Sequence, residues 1–261
     1  MIITFILFGL LLVFAIYAFS RYNSKKAATI AASWDELLLQ HVHFYKMLNK
    51  ERRELFKKRM GLFLSETYVE GVALQLEELD KVLVAASAVI PVFGFEEWHY
   101  TNLTGVLLYP DNFNKDFSFE NEEEGRLILG MVGTGRLENQ MILSRKALRQ
   151  GFSPENRGNN TAIHEFVHLI DKMDGKTDGI PERLIEHAYS IPWLKVIHQE
   201  MEKINTNSSD IRSYGGTNEA EFLAVASEYF FEKPSQMQKK HPELYKMLLQ
   251  CFHTQETIHK S

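Results

Sequence analysis

Residues 161 to 171 read TAIHEFVHLID: two histidines four apart, a glutamate directly after the first, and apolar residues in the remaining gaps. A helix advances about 100° per residue, so His164 and His168 stack on one face, roughly 6 Å apart at Cβ, while Ile163, Phe166, Val167 and Ile170 turn toward a core. Both imidazoles then reach one ion. Glu165 lies about 100° further round the helix, too far to be a third ligand, yet its side chain reaches a water held by that ion, where a general base belongs. The same string also describes an amphipathic helix that happens to carry two histidines, so the rest of the chain must distinguish the two.

A catalytic zinc takes three protein ligands and keeps a fourth position open. Two downstream carboxylates compete for the third place. Asp174 stands six residues past His168, a spacing used when the helix breaks at a glycine in between, but Asp171 occupies that point and the first glycine is Gly175. The helix is expected to run on to a cap at Gly175. The farther candidate lies in SYGGTNEAEFLAVASEYFFEKP, residues 213 to 234. Gly215 and Gly216 form a loop, Thr217 or Asn218 caps a helix over 218–232, and Pro234 stops it. Phe222, Val225, Ala226 and Tyr229 make its apolar stripe, with Glu221 and Glu228 at the edge. Glu221 then completes a His₂Glu set, unless it only closes a capping box with Asn218. Glu228 and Asp171 are candidates to orient a ligand imidazole through its second nitrogen, or else are solvated surface carboxylates.

The stretches LVAASAVIPVFGF, VLLYPDNF, NTAIHEFVHLIDKMDG and SYGGTNEAEFLAVASEYFFEKP follow one another as they do in the Mlc titration factor A family of zinc peptidases, and the chain resembles that family from about Trp34 to about residue 250. The resemblance implies one zinc per chain on His164, His168 and Glu221, with Glu165 as catalytic base. It also matches Tyr214 to a tyrosine seven residues before the glutamate ligand, a spacing shared with the catalytic domain of anthrax lethal factor. There the phenol is placed to donate to an oxyanion. The implied activity is hydrolysis of peptide bonds in peptide or protein substrates, by internal cleavage or as an aminopeptidase. The family name also carries a second reading, a regulatory protein on a zincin scaffold that sequesters a transcriptional repressor.

Around these motifs the pattern predicts an α+β, mostly helical, zincin-like domain over 34–261 with a small sheet. Helices are expected at 35–66, 75–91, 182–204, 218–232 and 234–250, and short strands at 105–110, 126–133 and 139–145. One of the last two strands is expected to take substrate backbone by strand addition. His41 and His43, two apart, cannot share a helical face and read as surface or capping residues. The chain is 45% hydrophobic with a net charge of -5, and it has neither a basic stripe for nucleic acid nor a glycine-rich phosphate loop.

Residues 2 to 19 are an uncharged apolar run long enough to span a bilayer as a helix. No Lys or Arg precedes it and no small-residue cleavage site follows, so an uncleaved anchor over 1–20 is expected, with a linker over 21–33. Arg21, Lys25 and Lys26 come directly after, which places the catalytic domain on the cytoplasmic side. The single cysteine, Cys251, suits a reducing compartment.

Overall fold

A computed structural model describes residues 30–111, 130–132, 139–182, 184 and 190–253. The expected anchor and most of the linker lie outside the described residues; among those described, no helix is long and apolar enough to cross a membrane. The domain is mostly helical with one small mixed sheet.

The stretch expected as one helix over 35–66 is three: α1 (Ser33–His41), α2 (His43–Lys46) and α3 (Lys50–Glu66). Val42 is extended and fully buried, and the resulting turn lets Leu38 on one side and Phe44 and Tyr45 on the other all face the core. The second break is a cap: the Asn49 side chain accepts from Arg52 N at 2.9 Å. His41 and His43, on either side of Val42 at the first break, are half-buried and belong to no metal-holding group among the described residues.

Strand β1 (Tyr68–Gly71) follows, then α4 (Glu78–Val89), which is buried without interruption from Val82 to Val89 and forms the centre of the domain. The remaining strands are β2 (Gly105–Tyr109), β3 (Gly130–Val132) and β4 (Gln140–Ser144). The order across the sheet is β1-β2-β4-β3. The first three run parallel, and β3 is antiparallel to β4 with Met131 opposite Ile142. Among the described residues β3 is therefore an edge.

The sequence pattern missed β1 and α5 (Arg145–Gly151), elements of four and seven residues, too short for either period to show. β1 takes its ladder from β2, and α5 is started by Ser144, whose hydroxyl accepts from Ala147 N at 3.1 Å. The HExxH helix α6 (Thr161–Asp171) comes next, then α7 (Ser190–Asn205) and α8 (Glu219–Glu232). The last predicted helix is split at His241 into α9 (Pro234–Lys240) and α10 (Pro242–Cys251), because Pro242 cannot continue a helix from α9 but fits the first turn of a new one. α8 is buried on nearly all sides and packs along α6, with the end of β3 against α6 on its other flank.

Candidate metal centre

Asn160 starts the central helix. Its side chain caps α6 by accepting from Ile163 N at 3.1 Å, and Ile163, Phe166, Val167 and Ile170 are all buried as the apolar spacing requires. That anchors the opposite face, on which the His164 and His168 rings meet edge to face with centroids 4.7 Å apart. α8 begins at Asn218, whose side chain accepts from Glu221 N at 2.9 Å. The capping box with Asn218 is thus half right: Glu221 gives its backbone to the cap and its carboxylate to the histidines.

His164, His168 and Glu221 converge on one point, the one group of three potential metal ligands among the described residues. Nε2 of His164 lies 3.1 Å from Nε2 of His168 and 3.0 Å from Glu221 Oε2, and His168 Nε2 lies 3.5 Å from the same oxygen. Tetrahedral zinc with bonds of about 2.1 Å separates its ligand atoms by about 3.4 Å, so the donor set fits such an ion in both kind and spacing. Burial opposes a charge on His164, but hydrogen bonds to Glu221 and Glu228 outweigh it and hold the imidazole pKa up at about 10. Glu221 is also penalised by burial, yet its bonds to both histidines dominate and hold it well below the usual carboxylate range. The cluster stabilises positive charge.

Around it lies a supporting shell. Glu228 is fully buried, not a solvated edge residue, and accepts from His164 Nδ1 at 2.8 Å and from the backbone N–H of Asn160. It orients the imidazole so that Nε2 faces the cluster. Asp171 is also fully buried, with Oδ2 accepting from Gly179 N at 2.9 Å. Its other oxygen, like Nδ1 of His168, has no hydrogen-bond partner among the described residues. Burial raises Asp171 to about 6, against the Gly179 bond. Asp174 does not join the cluster: helix α6 gives way to a 3-10 turn over Lys172–Asp174, closed by left-handed Gly175, and the Asp174 carboxylate accepts from Lys176 N and Glu182 N. The glycine cap was read correctly from the sequence.

Glu165 is buried beside the cluster, its pKa raised by burial and lowered in part by His164 and His168. Gly130 at the start of β3 makes room for it: a Cβ there would stand 2.8 Å from Glu165 Cγ. Tyr214, on the 3-10 turn Ser213–Gly216, stacks on His164 with centroids 5.9 Å apart. A cleft of about 810 Å³ opens over these groups, walled further by Lys172, Asp178, Ile180, Leu194 and Glu219. Sequence reasoning missed Gly130 and this wall: Gly130 sits on a three-residue strand too short to show a period, and the wall is assembled from a turn, a loop and two separate helices that only the tertiary fold brings together. The Asn160 cap was likewise not read from the sequence, although Asn directly before an apolar run is a helix-start signal.

A HExxH helix facing a glutamate from a second helix, with a further buried carboxylate beside an open cleft, is a metallopeptidase-like scaffold. The chain belongs to the glucose-regulated metallo-peptidase M90 family, whose profile matches residues 17–253 and whose class implies a divalent metal. An uncharacterized protein of Synechocystis sp., slr2042, is 27% identical over 82% of this chain and 81% of its own length. Mlc titration factor A of Escherichia fergusonii is 25% identical over 84% of each chain, and that of Yersinia pestis 24% identical over 85% and 84%.

Proposed function

We propose that the protein is a zinc peptidase in which His164, His168 and Glu221 hold the metal, Glu165 is the general base and Tyr214 an oxyanion donor. The observation that carries this reading is the convergence of three ligand atoms at 3.0, 3.1 and 3.5 Å, at the foot of an open cleft and beside a buried carboxylate. When bound, zinc supplies a Lewis acid and a water of lowered pKa. Glu165 takes a proton from the attacking water and returns it to the leaving amine. The Tyr214 phenol donates to the oxygen that gains charge, and Glu228 keeps the His164 ring in line.

Substrate enters as an extended strand. Among the described residues β3 is an edge of the sheet, and its Gly130 lines the cleft, so the side of that strand away from β4 is where a peptide backbone pairs. Of the two strands expected for this role, β4 is enclosed between β2 and β3 and cannot serve. The apolar segment 2–19 tethers the domain to the membrane with the cleft on the cytoplasmic side. The name of the relatives Mlc titration factor A favours a second role for this chain, binding a regulatory protein.

Hydrolysis of a quenched fluorescent peptide library by the full-length protein tests the reading. Activity is expected in the wild type, and nearly none in Glu165→Gln. A wild type inactive across the library after zinc reconstitution, or an active Glu165→Gln, overturns it.

A further inference from the structure

Behind the cluster, on the side away from the cleft, Arg212 joins three parts of the molecule. One terminal nitrogen of its guanidinium donates to Glu228 Oε1, the oxygen that also holds His164 Nδ1. The other donates to Asn159 Oδ1 at 2.7 Å. Asn159 directly precedes Asn160, the cap of α6. The backbone of Arg212 opens the 3-10 turn carrying Tyr214, its carbonyl accepting from Gly215 N at 2.9 Å. One residue thus joins the carboxylate that orients a ligand and the approach to the ligand helix, through its side chain, to the root of the tyrosine turn, through its backbone.

We propose that Arg212 is a positioning residue of this centre, acting through Glu228 to fix His164 and tying the Tyr214 turn to the start of α6. Glu228 is fully buried, and among its donors are a backbone N–H, an imidazole and Arg212, of which the guanidinium alone carries a permanent charge. Removing that charge leaves a buried carboxylate short of its counter-ion, and the bond aiming His164 loses its fixed acceptor. The fork matters as well as the charge, because two contacts at a fixed angle define a direction that a lysine ammonium cannot reproduce.

The loop itself does not depend on the guanidinium. Two residues upstream, Asp210 accepts from Tyr229 Oη at 2.7 Å, Gln236 at 2.9 Å, Lys240 at 2.8 Å and His241 at 2.7 Å. Downstream, Gly216 is pressed so closely on Asn205 that a Cβ would meet its Oδ1 at 2.4 Å. Both ends of the turn stay anchored when Arg212 is changed, so its substitution isolates the contacts to Glu228 and Asn159.

The metal-affinity half of this inference rests on geometry, and the catalytic half on the peptidase reading. Zinc affinity of the full-length protein, measured by competition with a chromogenic chelator, is compared for wild type, Arg212→Gln, Arg212→Lys, Glu228→Gln and the double variant Arg212→Gln/Glu228→Gln. Arg212→Gln is expected to weaken zinc binding about 10- to 100-fold. Glu228→Gln should do the same and the double variant little more, because both changes break one chain of contacts. Arg212→Lys restores most of the affinity but keeps a lowered kcat at nearly unchanged KM, since the Asn159 arm is lost. Arg212→Gln binding zinc as the wild type does, or effects that simply add in the double variant, overturns the proposal. Should Arg212→Gln fail to fold, Arg212→Lys decides: wild-type kcat in that variant overturns it, and a lowered kcat with near-normal zinc binding supports it. If no form hydrolyses peptide, the peptidase reading fails while the chelator competition still decides the role of Arg212.

Discussion

Gly130→Ala perturbs Glu165, the proposed base, without touching His164, His168 or Glu221. The added Cβ would stand 2.8 Å from Glu165 Cγ, 2.9 Å from Leu143 Cδ2 and 3.0 Å from Thr161 Cγ2, against ordinary carbon contacts of about 3.5–4.0 Å. Leu143 is fully buried and Thr161 sits in the first turn of α6, so neither neighbour can retreat far. Glu165 has to withdraw by roughly 1 Å, and a displacement of that size at a reacting group costs on the order of 10² in rate. Crowding of this kind also costs about 1–3 kcal/mol of stability, a fall in Tm of several degrees for a domain of this size. The expected result is a folded protein with full zinc content, a slightly lowered Tm by calorimetry and kcat reduced about 100-fold. A variant with wild-type kcat and KM would refute the placement of Glu165 against β3.

Tyr214→Phe should lower kcat on the order of 10²- to 10³-fold and leave zinc content unchanged; parallel loss of both would mean that the tyrosine supports the metal site and not the reaction. His241 is buried between Glu200 and Asp210, at 2.7 Å from each, with Lys203, Lys240 and Tyr229 close by. The Glu200 bond first, with Asp210 adding, raises its pKa against burial. A raised pKa contributes stability fully below the unfolded value of about 6.5 and loses it as pH climbs through the folded value. His241→Gln is therefore expected to cost about 2 kcal/mol near pH 6 and less in alkaline buffer, by urea denaturation; a gap that widens with pH contradicts the sign. For the anchor, alkaline phosphatase fused after Ser261 should stay inactive in cells and the full-length chain should sediment with membranes. An active fusion reverses the orientation, and a soluble full-length chain removes the anchor.

The ligand cluster was legible because its elements obey helix geometry. His164 and His168 share a face at any i, i+4 spacing, and the apolar positions around them fix which face is free. Glu221 and Glu228, seven apart, fall in line for the same reason, but the sequence could not show that Glu228 is wholly buried, since this depends on α8 being covered from several sides. The break at Val42 was hidden because its cause is tertiary: the chain turns there to bury residues on both sides. Arg212, Asn159 and Gly130 left no signal at all. They reach the site from loops and a three-residue strand, where no period links position to direction; Arg212 meets Glu228 and Asn159 across 16 and 53 residues of chain.

Metal content tests the central claim most directly. The full-length protein, purified without added metal and analysed by mass spectrometry of the elements, should carry close to one zinc per chain. Glu165→Gln should keep it, and Glu221→Ala should lose it or bind at least tenfold more weakly. Wild-type protein that contains no zinc and takes none up after reconstitution, or a Glu221→Ala variant that holds zinc as firmly as the wild type, would contradict the assignment of His164, His168 and Glu221 as the metal site.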